Sequence, residues 1–318
     1  MLTRVYFSCD VHGSELCFKK FINAAKYRIY KADVVILSGD LTGKALVPII
    51  QEDDSSYRVS FLGSDETVGS QESLHGLEKR IRNVGYYHCI VSEDELLELK
   101  SEKSKLENLF SSLTLQRLEH WIRLAEESLK DTGIKCFMMP GNDDHPAVGQ
   151  VIDKSDFVVN PEEKMVNVDK HHEMISLGFS NYTPWKTPRE CSEEELAKKI
   201  NSIVSSVSNI QNCIFNIHCP PYGSGLDYAP QLDENFRPVV SVGELLKVPV
   251  GSKAVLNAIK KHQPLVGLHG HIHESPGEVK IGRTLCLNPG SEYQNGILRG
   301  YLIDLDQNGL KHYLHVEA

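Results

Sequence analysis

Five times along this chain an apolar, strand-like run stops on side chains able to bind a metal ion. "RVYFSCD" leads into Asp10 and His12, and "ADVVILSGD" ends on Asp40. "IKCFMMPGNDDH" runs into Asn142, Asp143 and Asp144, "NCIFNIH" ends on His218, and "PLVGLHGHIH" ends on His271 and His273. Taken singly, an Asp after a strand is usually a turn former or helix cap, and a strand-end His is usually just hydrogen-bonded. Five such ends in one α/β rhythm carry a different meaning. Strands of a parallel sheet finish on one edge, and open α/β sheets place ligands in the crevice outside those carboxyl ends. Carboxylates and imidazoles gathered there need a cation between them, because buried polar groups without partners are costly. A mixture of His, carboxylate and amide oxygen suits manganese, iron or zinc.

The alternation of elements supports a largely parallel sheet. "RVYFSCD", a helix across "ELCFKKFINAAKYR" and "ADVVILSGD" make strand, helix, strand in 40 residues. Residues 44 to about 131 break the rhythm. "QEDDSSYRVSFLG" reads as a turn and a hairpin strand, and the rest as helices with apolar residues at three- and four-residue spacing. We expect an insertion here that caps the active site and sets specificity, since inserted loops near a crevice form its walls. It could equally serve a homodimer. No Pro/Gly/Ser-rich linker brackets it, so the 318 residues read as one domain. Beyond it, "HHEMISLGFS", "TLCLNPGS", "GYLIDLD" and "KHYLHVE" read as strands. "SEEELAKKINSIVSSV" is a helix with a Ser192–Glu195 capping box, and "SKAVLNAIKKH" a helix capped by Ser252.

Several function classes are disfavoured. "SGDLTGK" (38–44) resembles a phosphate-cradling loop, but Ser38 stands where the first glycine is needed and Ala45 where the hydroxyl is needed. A net charge of −9 speaks against a sequence-independent nucleic-acid binder, which needs many phosphate-neutralising cations. No apolar run approaches the ~18 residues of a membrane span. Asp10 and His12 interrupt any leader-like apolar stretch, so a cytoplasmic location is expected. Eight cysteines include no C-x-x-C pair and read as reduced core residues. No G-x-S-x-G elbow is present.

"DVH", "GD", "GND", "H" and "GHIH" resemble, in order, the five motifs of the calcineurin-like metallophosphoesterases, and they span residues 10 to 273. "GFSNYTPWKTPRECSEEEL", "HCPPYG" and "GHIHES" further resemble a bacterial and archaeal branch of predicted phosphoesterases related to the cyclic-nucleotide phosphodiesterase. The resemblance implies a four-layer α/β/β/α sandwich of two mixed β-sheets flanked by helices. It implies two divalent metal ions, manganese first, with iron, zinc and nickel as alternatives. Asp10, His12 and His273 would hold one, Asn142, His218 and His271 the other, and Asp40 would bridge them. A hydroxide between the ions would attack phosphorus directly. The implied substrate is a small phosphate ester, a nucleotide among the candidates. A nuclease, or a non-catalytic scaffold of the same fold, are the alternatives.

The third motif departs from the usual G-N-H-[DE]. Asp143 stands in the place of the His, Asp144 matches the acidic position that orients neighbouring ligands, and His145 follows as a group that could turn into the site. Without that His, general-acid help worth about 10²–10⁴ in rate is weakened. A preference for phosphodiesters or pyrophosphates with good leaving groups is expected. Lys44 is a candidate phosphate contact, Asn288 a candidate support for a ligand, and His269 a buried, hydrogen-bonded residue. His171 and His172 read as surface or turn residues.

Overall fold

The computed structural model describes residues 2–318. Strands Thr3–Cys9, Val34–Ser38, Lys135–Met139 and Val158–Val159 lie side by side and parallel, and the antiparallel Arg299–Asp306 and Gly309–Glu317 extend this first sheet beyond Thr3–Cys9. The second six-stranded sheet repeats the plan. Glu173–Leu177, Cys213–Ile217, Val266–Leu268 and Thr284–Asn288 are parallel, with Met165–Asn167 and Gly277–Ile281 antiparallel at its two edges.

Side-chain alternation assembles the layers. Val5, Phe7, Val34 and Ile36 of the first sheet meet Met174, Ile214, Leu285 and Leu287 of the second in one buried cluster. The intervening Tyr6, Val35, Leu37, Cys136 and Met138 turn outward onto helices Glu15–Lys26 and Lys103–Leu129. On the far side Ile175, Phe215 and Cys286 pack on helices Glu193–Val204 and Lys253–His262. The result is the expected four-layer α/β/β/α sandwich. Central strands buried on both faces explain their near-continuous apolar sequence. The capping box of Ser192 and Glu195 forms, and Ser252 Oγ accepts the Val255 N–H. All eight cysteines are free, and seven are buried. Among the described residues no helix is long and apolar enough to cross a membrane.

The segment 44–131 divides in two. Leu46–Gln51, Tyr57–Phe61, Ser64–Val68 and Tyr87–Val91 form a four-stranded sheet, and helix Gln71–Asn83 covers it with a small core of its own. The mainly helical reading missed most of these strands, because Pro48 interrupts "LVPIIQ", "SDETV" is polar, and "YHCIV" is a short run set between helical segments. Helix Lys103–Leu129 belongs instead to the layer on the first sheet. Leu118, Trp121, Ile122, Ala125 and Leu129 bury one face there, and Trp121 stacks on Phe18 with ring centroids 4.2 Å apart. A second unexpected element is an exposed arm across 228–249, built from the pairs Tyr228–Pro230 with Lys247–Pro249 and Val240–Ser241 with Glu244–Leu245.

If the long helix is core structure, Trp121→Ala should cost about 3–5 kcal/mol, the range for an emptied aromatic site. Urea unfolding should show a lower midpoint at unchanged slope. A loss below about 1 kcal/mol would mean that the helix is not held by this contact.

Candidate metal centre

Register decides where the strand ends meet. Cys9 pairs with Ser38 and Ser38 with Met139, so three strands of the first sheet stop level with one another. The backbone then continues the pairing beyond the sheet. Asp10 N–H donates to Gly39 O at 3.1 Å, His12 N–H to Asp40 O at 2.9 Å, and Gly39 N–H to Met139 O at 2.9 Å. Within the second sheet Gly270 N–H donates to His218 O at 2.9 Å, and His271 N–H ties that sheet to the first by donating to the Asp10 carboxylate at 3.1 Å.

These tight exits place four side-chain-bearing residues in the left-handed region: Asp10, His12, Asp40 and His271, at φ 53°, 40°, 48° and 68°. Such conformations cost of order 1–3 kcal/mol each and collect at functional sites. Glycines make the close approach possible. A Cβ on Gly39 would lie 2.1 Å from His218 Nδ1, one on Gly141 2.2 Å from Asp40 Oδ1, and one on Gly270 2.3 Å from Asp10 Oδ2.

The side chains converge tightly. His12 Nε2 lies 3.0 Å from His273 Nε2, and His273 Nε2 lies 3.4 Å from Asp10 Oδ1. His218 Nε2 faces Asp40 Oδ2 at 3.4 Å and Asp10 Oδ1 at 3.7 Å, and His12 Nε2 is 3.7 Å from Asp40 Oδ2. Two triads suited to metal ions result, Asp10–His12–His273 and Asp40–His218–His271, with His12–Asp40–Asp143 as a third overlapping set. Asn142 adds an amide oxygen. Its Nδ2 donates to Thr187 Oγ1 at 2.9 Å, while its buried Oδ1 has no hydrogen-bond partner among the described residues. A buried acceptor left unpaired costs about 1–3 kcal/mol. A cation would satisfy it, and the donor set fits one.

The protonation pattern shows the same demand for positive charge. Burial pushes Asp10 and Asp40 up, but the facing histidines outweigh it and hold both below the usual carboxylate range. Burial opposes the charge on His218, yet Asp40 and Asp10 lift it to about 9. Burial, helped by the charge on His218, drives His271 down to about 4. Burial and Lys44 push His12 well below its ordinary value.

The third motif is resolved residue by residue. Asp144 is fully buried and faces away from the cleft. It accepts Leu41 N–H at 2.9 Å, Thr42 N–H at 2.8 Å and Gly141 N–H at 2.7 Å, so it fastens the Asp40 turn to the Asn142 turn. Burial, reinforced by the Asp40 charge, raises it to about 6. Asp143 N–H donates to Asp40 Oδ1 at 2.9 Å, and the Asp143 carboxylate forms an ion pair with Lys44 at the cleft. His145 is not brought into the site. The turn leaves it exposed, with Nδ1 accepting the Ala147 N–H at 3.1 Å.

Other residues act at one remove. Asn288 donates to Ile272 O at 2.9 Å and Ser275 O at 3.1 Å, which holds the loop carrying His271 and His273. His269 is buried, with Nδ1 2.7 Å from Ile217 O. His172 lies in a turn, as one of its two readings had it, but is buried, with Nδ1 2.8 Å from the half-buried Asp169. Sequence reasoning missed Ser291, whose Oγ donates to Asp10 O at 2.7 Å. It also missed Glu190, which accepts Thr187 N–H at 2.8 Å and Thr187 Oγ1 at 2.7 Å and thereby fixes the partner of Asn142. Nothing but the quoted "TPWKTPRE" pointed to that pair.

The centre opens into a cleft of about 1090 Å³. Its walls come from residues 181–188 and the base of the exposed arm, not from the insertion as the sequence led us to expect. Of residues 44–131 only Lys44 lines it.

No family model matches the sequence. A curated relative, the uncharacterized protein MJ1162 of Methanocaldococcus jannaschii, is 32% identical over 159 residues, covering 49% of this chain and 64% of its own length. The match thus spans less than two thirds of that relative. One solved crystal structure superposes with a TM-score of 0.56 at 15% identity, over 100% of this chain and 99% of its own. The protein TT1561 of Thermus thermophilus superposes with a TM-score of 0.53 at 13% identity, over 98% of each chain. Both likenesses are likenesses of fold. The layered sandwich is a fold that these solved structures share, and in this chain the five motifs stand at its strand ends.

His218 gives a pH test. Its folded value of about 9 lies above an unfolded value of about 6.5, so it contributes stability below pH 6.5 that is lost as pH rises through 9. In chelator, the melting temperature should fall between these values. Added divalent metal should flatten the fall by replacing the proton. A flat metal-free profile over that window would contradict the paired geometry.

Proposed function

We propose that this chain is a phosphoesterase that uses two divalent metal ions to hydrolyse phosphodiester or pyrophosphate bonds in small substrates. The carrying observation is the meeting of two ligand triads and the unpaired Asn142 oxygen at one end of the sandwich, beside a large cleft. Asp10, His12 and His273 would hold one ion, Asn142, His218 and His271 the other, and Asp40 would serve both. Manganese suits this mixed donor set. When bound, such a pair supplies a water acidic enough to attack phosphorus near neutral pH, and charge that steadies the phosphoryl oxygens.

The chain's own groups set what kind of ester reacts. Lys44 reaches the cleft next to Asp40 and Asp143. Burial disfavours its charge, but Asp143 and Asp40 outweigh that and raise it, so it stays cationic. It is the group we assign to a non-bridging phosphate oxygen, held in place by the Asp143 ion pair. Asp143 carries no proton to a departing oxygen while it is paired with Lys44. Substrates whose leaving group departs without protonation are favoured, which suits diesters of acidic alcohols and pyrophosphates. We take residues 1–318 as one catalytic domain whose specificity surface is the 181–188 loop and the arm base.

Purified protein should hydrolyse bis-p-nitrophenyl phosphate, lose this on chelation and regain it with manganese. Manganese-loaded protein that leaves the ester intact would defeat the proposal. Lys44→Met should lower kcat/KM on that ester by roughly 10- to 100-fold, the worth of a charged hydrogen bond, at unchanged metal content. An unaltered rate would make Lys44 a bystander.

A further inference from the structure

Trp185 sits on a loop built to hold still, yet its indole is 64% exposed. The loop runs Thr183-Pro184-Trp185-Lys186-Thr187-Pro188. Glu190 accepts Thr183 N–H at 3.1 Å and Thr187 N–H at 2.8 Å, and Trp185 N–H donates to Thr183 Oγ1 at 3.2 Å. Phe236 of the arm packs on the indole, with ring centroids 5.6 Å apart and planes 29° from parallel. Tyr182, 68% exposed, lines the same cleft as Trp185, and so do Asp40, Asn142 and His271.

Large exposed aromatics on a pre-organised wall are a stacking platform. Every nucleobase has a flat face, and stacking on an aromatic side chain is worth enough to change affinity by roughly 5- to 100-fold. The platform is also at the right reach. Thr187, which accepts the Asn142 amide at 2.9 Å, is two residues from Trp185, so their Cα atoms are at most about 7 Å apart. A phosphorus held at Asn142 would carry its substituent onto the indole.

We infer that Trp185, with Tyr182 beside it, forms a nucleobase subsite, and that the substrates are nucleotide-containing phosphate esters. This rests on the phosphoesterase reading of the adjoining centre. The chain has two tryptophans, and Trp121 is buried, so ligand-dependent quenching reports on Trp185. Metal-loaded protein should bind adenosine 5′-monophosphate about 10-fold or more tighter than ribose 5-phosphate, and only the former should quench. Trp185→Ala should erase the difference, while Trp185→Phe should keep most of it. Equal binding of the two probes, or no binding of the nucleotide, overturns the subsite. A missing hydrolysis of bis-p-nitrophenyl phosphate strikes the phosphoesterase reading alone, since base-dependent quenching would persist.

Discussion

Two carboxylates, Asp10 and Asp40, lie almost without solvent at the meeting point of two sheets, and much of the molecule is arranged around their need for positive charge. In water each would be solvated. Here burial penalises the charge, and the protein answers with imidazoles at 3.4–4.0 Å and backbone N–H groups. Imidazoles are a half-measure, because charging one penalises its neighbour: His218 rises, and its charge adds to the burial that drives His271 down. A divalent ion removes the conflict by supplying the charge with no proton. The strained exits at Asp10, His12, Asp40 and His271 are tolerated because two sheets, each with its own core, hold them from behind.

The ligand-type residues were legible in the sequence because each combines a distinctive side chain with an unmistakable place, the end of an apolar run. The layered fold was legible for a related reason: four parallel strands per sheet demand the alternation of strands and helices. What pointed astray was direction. Asp143, Asp144 and His145 are adjacent, and only the turn geometry decides that the first faces the cleft, the second faces inward and the third faces solvent.

The cleft walls were hidden for a different reason. Residues 228–249 bury little, so they carry no periodicity, and Val240, Val242 and Leu245 are apolar yet exposed. The 181–188 loop is specified by hydroxyls and one carboxylate rather than by hydrophobic pattern. Conversely, helix Lys103–Leu129 announces an apolar face, but the sequence does not say which surface that face covers, and it was assigned to the insertion although it lies on the first sheet.

The hydrogen bonds from Glu190 through Thr187 to Asn142 join two places that would otherwise be independent. One end holds the amide oxygen that looks for a cation, and the other carries the aromatic wall of the cleft. Whatever orders one end lowers the entropy cost of ordering the other, and such linkage is reciprocal. On the proposed reading, metal affinity and preference among organic substituents would not be separately adjustable: a change in the loop that altered the second would be felt in the first.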